Sequence, residues 1–215
     1  MDNILDHRLR GIARAIAARK VRGILPSRSG GGARWGDAGG YVQASVALVV
    51  RPEPRNLEVL LIKRAPRAGD PWSGHMALPG GRRDVQDPDP LSTAMRETLE
   101  EVGIDLRTTG TPLGALDEVQ PLDAGVPPLV ISPFAFSVPT GTAATPNVEV
   151  DAALWIPLRE LTDPAARAEH LHPFADGTSL RFPALSCRGH TVWGLTYRVL
   201  SQFLQLAAPN AEARG

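Results

Sequence analysis

Cysteine is almost missing from this chain: Cys187 stands alone in 215 residues. A single thiol forms no internal disulfide, so packing has to hold the fold, and a reduced, cytoplasmic setting is expected. Net charge is missing too. Lys plus Arg and Asp plus Glu each number 23. That balance removes the electrostatic basis for general binding to nucleic acid or a membrane surface. No run of about twenty apolar residues occurs, so no helical membrane span is expected. The N-terminal stretch lacks the long apolar core of a secretory signal, and no internal repeat is visible. What remains is a chain long enough for one domain of ordinary size with a full core.

Residues 1–25 carry Ile4, Leu5, Leu9, Ile12, Ile16 and Val21 at helical spacing, with Arg8, Arg10, Arg14, Arg19 and Lys20 between them. This pattern predicts an amphipathic helix. It is expected to pack on the domain or on the mate of a homodimer, and a basic helix on a membrane surface is the alternative. Residues 26–40, PSRSGGGARWGDAGG, read as a Gly- and Ser-rich linker. From Tyr41 the pattern is that of a sheet. VQASVALVV is a buried strand, residues 52–56 a turn, and LEVLLIKR the returning strand. Residues 65–75, APRAGDPWSGH, form a loop, and 76–78 a short strand. Residues 113–116 and 130–138 read as strands joined by a Pro-rich connection. Residues 153–158 end another strand, 159–171 are predicted helical, and 180–185 with 189–193 form a hairpin. Residues 196–207 close the chain as a helix, with Val199, Leu200, Phe203, Leu204 and Leu206 on its apolar side. Strands with few helices, one of them central, predict an α/β helix–sheet–helix sandwich.

The stretch 80–104, GGRRDVQDPDPLSTAMRETLEEVGI, carries the chemistry. Asp89 suits an N-cap, Pro90 the first helical position, and Gly103 the residue after the last turn. Glu97 lies at i−3 from Glu100 and i−4 from Glu101, so all three crowd onto one side of the helix. Met95, Leu99 and Val102 are expected to face the core. Crowded like charges destabilise a free helix, and a cation reverses that. Oxygen-rich carboxylate clusters are what Mg²⁺ or Mn²⁺ prefer. A plain solvated acidic face is the alternative.

Gly80-Gly81, an Asp-containing spacer, and then Arg96, Glu97, Glu100, Glu101, Gly103 and Ile104 resemble the Nudix box. Its pattern ends in Arg-Glu-apolar-any-Glu-Glu-any-Gly-apolar. Thr98 replaces the usual aliphatic residue, and the spacing from Gly81 to Arg96 is one residue longer than in most of the superfamily. The resemblance covers most of residues 41–207. It implies the Nudix fold, a mixed β-sheet sandwiched between α-helices. The layout it implies is a helix and linker over 1–40, the Nudix domain over 41–208, and a tail over 209–215.

The resemblance also implies a reaction: hydrolysis of a pyrophosphate in a small nucleotide compound, with Mg²⁺ or Mn²⁺. Charge on such a linkage repels a nucleophile, so the reaction needs cations and a base. Glu97, Glu100 and Glu101, with a backbone carbonyl at Gly80 or Gly81, are the implied metal ligands. The candidate catalytic set is those three glutamates, Arg96 to orient a box carboxylate, and Glu149 as general base. Asp117 and Glu118 are further acids near a strand end. Lys63, Arg64, Arg67, Arg82 and Arg83 are candidate phosphate contacts, and Trp72 a candidate for stacking on adenine. His75 reads as a loop residue, and His170, His172 and His190 lack ligand spacing.

Three stretches resemble the coenzyme A pyrophosphatase branch. The longer spacer carries Asp84 and Asp87. Leu60-Leu61-Ile62-Lys63-Arg64-Ala65, Gly74 and Leu78-Pro79-Gly80-Gly81 approximate that branch's upstream motif. Leu78 stands there for Phe, Gly69 for a second Arg, and Gly74 is displaced by one residue. Trp193-Gly194-Leu195-Thr196 is close to its C-terminal signature. Coenzyme A or an acyl derivative, cut to 4′-phosphopantetheine and adenosine 3′,5′-bisphosphate, is the substrate so implied. ADP-ribose, a dinucleotide or a nucleoside triphosphate is the alternative. A non-catalytic ligand sensor is a third reading, against which stands the presence of all three box glutamates.

Overall fold

A computed structural model describes residues 2–23, 42–54, 56–70, 72–121, 129–174 and 177–208. The expected linker, most of the Pro-rich connection and the tail lie outside the described residues. The elements are α1 (Asp2–Ala17), β1 (Val42–Glu53), β2 (Asn56–Arg64), β3 (Met76–Ala77), β4 (Gly80–Arg82) and α2 (Pro90–Val102). They continue with β5 (Thr111–Ala115), β6 (Leu129–Ser137), β7 (Val150–Pro157), α3 (Leu158–Thr162), β8 (Arg167–Pro173), β9 (Ser179–Cys187), β10 (His190–Trp193) and α4 (Gly194–Ala207).

The main sheet has seven strands in the order β3-β2-β1-β6-β5, with β4 beside β1 and β7 beside β2. It is mixed: β1 and β6 run parallel, whereas β1 and β2 are antiparallel. The unbroken apolar runs of β1 and β2 follow from burial on both faces. Leu48, Val50, Val59 and Leu61 belong to one core with Ile12 and Ile16 of α1 and Val199, Leu200 and Phe203 of α4. Ala47, Val49, Leu60 and Ile62 point the other way, into a core with Ala94 and Val102 of α2. Each of the Val, Leu, Ile and Phe side chains contributes roughly 1.5–3 kcal/mol by leaving water. The helix–sheet–helix sandwich is therefore present, and α1 uses its apolar stripe on its own domain. That helix ends at Ala17 and not near residue 25, and Val21 is exposed.

The long helix expected over 159–171 is not there. α3 stops at Thr162, a single 3-10 turn spans Pro164–Ala166, and β8 begins at Arg167. Pro164 has no N–H for a continuing helix, and the Asp163 carboxylate accepts from Ala165 N–H at 2.8 Å to cap the turn. β8 then pairs with β9, and β9 with β10, in a separate three-stranded sheet. The expected hairpin is the β9–β10 half of it.

Candidate active site

α2 is fixed at both ends by its own sequence. The Asp89 carboxylate accepts from Ser92 N–H at 2.7 Å, Pro90 takes the first helical position, and Gly103 is left-handed at φ 69°. The buried face runs through Thr93, Ala94, Thr98, Glu101 and Val102. The expected line of Met95, Leu99 and Val102 holds only at Val102 and half-buried Met95, because Leu99 is 41% exposed. Thr98 faces the core in its place, and its hydroxyl donates to the Ala94 carbonyl at 2.7 Å. A polar residue at this usually aliphatic position is thereby satisfied.

Glu101 is only 3% exposed. Burial pushes its carboxyl up to about 7, against the hydrogen bond from Gly80 and with the charge of Glu97 adding to the rise. The Gly80 N–H donates to it at 2.9 Å. Gly80 has φ 154°, and a Cβ there would fall 2.3 Å from the Ser45 carbonyl oxygen, so only glycine brings the donor this close. A Cβ on Gly81 would fall 2.4 Å from the Glu97 carboxyl carbon. The two glycines are the mould against which these carboxylates are cast. Burial also raises the Glu97 carboxyl, opposed by Arg96.

Arg96 is the hub. Its guanidinium lies 2.9 Å from Glu97 and donates to Glu100 at 3.0 Å and to the Arg82 carbonyl at 3.1 Å. Its firmest partner is a residue the sequence reading left in the spacer. Asp87, 6% exposed, accepts from Arg96 Nε at 3.1 Å and from a terminal nitrogen at 2.9 Å. It also accepts from Thr93 Oγ1 at 2.8 Å and Asp84 N–H at 2.9 Å. Burial alone would raise the Asp87 carboxyl, but these donors outweigh it and hold it at about 2. The longer spacer thus delivers a bidentate anchor for Arg96.

A cavity of about 810 Å³ opens beside the box. Glu97, Glu101, Gly81 and Glu149 line it, as do Arg64, Arg67, Arg82 and Trp72. Lys63, Arg96 and Glu100 are not on its wall. Lys63 pairs instead with Asp151 at 2.6 Å, because neighbours on a strand point to opposite faces. Arg64 is braced by Asp70 at 2.6 Å, and Asp70 also holds the Trp72 N–H at 2.9 Å. Arg67 and Glu149, both exposed, lie 3.6 Å apart. Asp117 is diverted to Arg19 at 2.7 Å, and Glu118 accepts from Ser132 at 2.9 Å. Neither of these acids faces the cavity.

The donor chemistry fits a hard divalent cation: two carboxylates, Glu101 buried and Glu97 half-buried, share one wall, and the charge of Glu97 adds to the cost of ionising Glu101. The full expected set is not gathered. Among the described residues, no three His, Cys, Asp or Glu side chains converge on a cation position, and Glu100 turns outward on Arg96 with 54% of its side chain exposed. The sequence reading gave His172, Phe174 and Phe182 no site role, and Trp193 only a place in the C-terminal signature, yet all four line the same cavity. Assigning 159–171 to a helix hid the strand alternation that carries His172. Pro164 was the available warning.

Comparison with protein-family models matches the NUDIX domain over residues 41–176. The chain belongs to the NUDIX domain family. The matched stretch runs from just before β1 to just past β8, so β9, β10 and α4 follow it. The Schizosaccharomyces pombe protein C14C4.10c, named as uncharacterized, is 47% identical over 110 residues, 49% of this chain and 33% of its own length. The same yeast's probable nudix hydrolase C6G9.05 is 27% identical over 173 residues, 78% of this chain and 57% of its own. The uncharacterized Nudix hydrolase NudL of Yersinia enterocolitica is 30% identical over 161 residues, 74% of this chain and 77% of its own. This Nudix chain therefore matches one third of the first yeast relative and little more than half of the second.

Proposed function

We propose that this chain is a divalent-cation-dependent Nudix hydrolase that cleaves the pyrophosphate of a nucleoside-diphosphate-linked compound. The observation that carries the reading is the shared cavity wall: half-buried Glu97 and buried Glu101 beside the cations Arg64, Arg67 and Arg82. Glu97 and Glu101 would hold Mg²⁺ or Mn²⁺, which supplies charge neutralisation and a more acidic water. The chain's own residues do the rest. The Gly80 N–H fixes Glu101, and Arg96, anchored by Asp87, fixes Glu97. Arg64, Arg67 and Arg82 bind phosphate oxygens. Glu149 takes the proton of the attacking water as its oxygen joins phosphorus and the bridging P–O bond breaks.

Coenzyme A or an acyl derivative is the leading substrate. The long spacer, the run from Leu60 to Gly81 and Trp193-Gly194-Leu195-Thr196 support that choice. The hydrolase domain is assigned to 41–208 and placed in the cytoplasm. No helix among the described residues is long and apolar enough to cross a membrane. A panel of coenzyme A, acetyl-coenzyme A, ADP-ribose, a dinucleoside polyphosphate and nucleoside triphosphates, each with Mg²⁺ or Mn²⁺, tests the proposal by product analysis. Brisk ADP-ribose turnover with coenzyme A untouched would sink the substrate assignment. Inertness towards the whole panel would sink the reaction class.

A further inference from the structure

Facing the cavity is a wall that the reaction itself does not require. Along β8, half-buried Ala168, His170 and His172 alternate with exposed neighbours. Register places Phe182 across from His170, and cross-strand partners share a face. On that face Trp193 stacks against His170, with ring centres 3.9 Å apart and planes 25° apart. It also lies 4.9 Å from His172 and 5.7 Å from Phe182. The loop before the box adds His75, edge-on to Trp193 at 5.3 Å, and Phe174 stands at 89° to His172. None of these rings belongs to either core cluster. All but His170 are on the cavity wall.

We propose that this ring cluster is the stacking subsite for the nucleobase of the substrate. This rests on the hydrolase reading above and deepens it. Three features favour a flat heteroaromatic over an alkyl or acyl chain. First, ring faces and edges are offered side by side, the geometry in which aromatic systems attract one another. Second, imidazole nitrogens interrupt the surface. An aliphatic chain would strip water from them with nothing in return, whereas a base offers hydrogen-bonding edges. Burial, aided by the neighbouring imidazoles, keeps His75 and His170 below the ordinary histidine value, so the surface stays aromatic rather than cationic. Third, the cavity of about 810 Å³ exceeds what a diphosphate occupies and falls within the usual range for sites that enclose an organic ligand. Phosphates on Arg64, Arg67 and Arg82 would leave the base this wall. Phe182 and Trp193 come from strands beyond the matched family stretch, so the wall is a place where selectivity is added to a shared site.

The test uses the full chain and two ligands that lack an anhydride bond, so binding is read without turnover. AMP and ribose 5-phosphate are titrated by calorimetry, with tryptophan emission as a second readout. The expected result is AMP binding at least tenfold tighter than ribose 5-phosphate, with emission quenched by AMP alone. His172→Ala and Phe182→Ala, both half-buried positions off the core, are expected to weaken AMP at least fivefold and leave ribose 5-phosphate unchanged. Equal binding of the two ligands to wild type overturns the inference whether or not either variant folds. Wild-type AMP affinity in both folded variants overturns it as well. Loss of the inference and loss of the reaction are separable. Hydrolysis without base selectivity removes only the subsite. Base selectivity without hydrolysis of any panel compound keeps the subsite and removes the enzyme.

Discussion

Around Glu101 position is set by directional bonds, and around Trp193 by ring contact. On the box side, Gly80 holds Glu101, Asp87 holds Arg96, and Arg96 holds Glu97. Each link is a charge-assisted contact with one good geometry. On the β8–β10 side the rings sit where strand alternation puts them, tilted from 25° to 64° against Trp193, and small rotations leave the contacts intact. The first kind of wall suits a group that must be placed to a fraction of an ångström. The second suits a part of the ligand that only has to be held. Changes at the box should therefore strike the rate, and changes at the rings the affinity.

The hardest test of that division is Glu101→Gln. It keeps the shape and the Gly80 hydrogen bond but removes the charge. We expect kcat to fall about 10³-fold, the scale of losing a preorganised electrostatic group. The rise in melting temperature on adding Mg²⁺ should shrink with it. A variant turning over its substrate within a few-fold of wild type would erase the distinction between the walls. Gly81→Ala comes next. Its new methyl group would lie 2.4 Å from the Glu97 carboxyl carbon, so that carboxylate must move, and displacements of about 1 Å have removed about 10²-fold of rate elsewhere. Steady-state kinetics on folded protein decides it. A raised KM with kcat kept would place Gly81 with the binding residues.

The same contrast explains what could be read from the residues. α2 was legible end to end because Asp89, Pro90 and Gly103 act locally, and because carboxylates at helical spacing demand an explanation. The burial of β1 was legible from its apolar run, whereas β2 was read only as the returning strand. Leu99 was misplaced because two neighbouring stripes on a helix differ by one residue, and the polar look of Thr98 argued against the correct one. Asp87 was invisible as an anchor because its partners, Arg96 and Thr93, are six to nine residues away across a loop. The aromatic wall was lost with the helix assigned to 159–171. A ring cluster assembled from β8, β9, β10 and a loop has no local signature.

Asp87→Asn probes the anchor at smaller scale. Its carboxyl ordinarily titrates at 3.8 and is held at about 2 in the folded chain. A depressed carboxyl contributes stability that is fully present above 3.8 and is lost as pH falls through about 2. The variant should be less stable than wild type by about 2 kcal/mol at neutral pH, and the gap should close on acidification across that window. Denaturant titrations of both proteins from neutral pH down to the lowest pH at which they stay folded measure it. A gap that does not change with pH would mean Asp87 acts through shape alone.

The smallest effects separate the two stripes of α2. Val102 is fully buried in the core beneath the helix, and Leu99, three residues earlier, is 41% exposed. Val102→Ala removes two methyl groups from a packed site and should cost about 2 kcal/mol in transfer and cavity terms. Leu99→Ala removes more carbon yet leaves no cavity, and alanine is the better helix former, so its change should stay within about 0.5 kcal/mol. Thr98→Val lies between the two. It deletes a hydroxyl whose only described partner is the Ala94 carbonyl, an oxygen of the helix ladder itself, so the hydroxyl's loss should register as less than about 1 kcal/mol. If Leu99→Ala proves the costlier of the first two, the helix is rotated from the orientation described. Glu101 would then turn away from Gly80, and the site would have to be rebuilt around a different carboxylate.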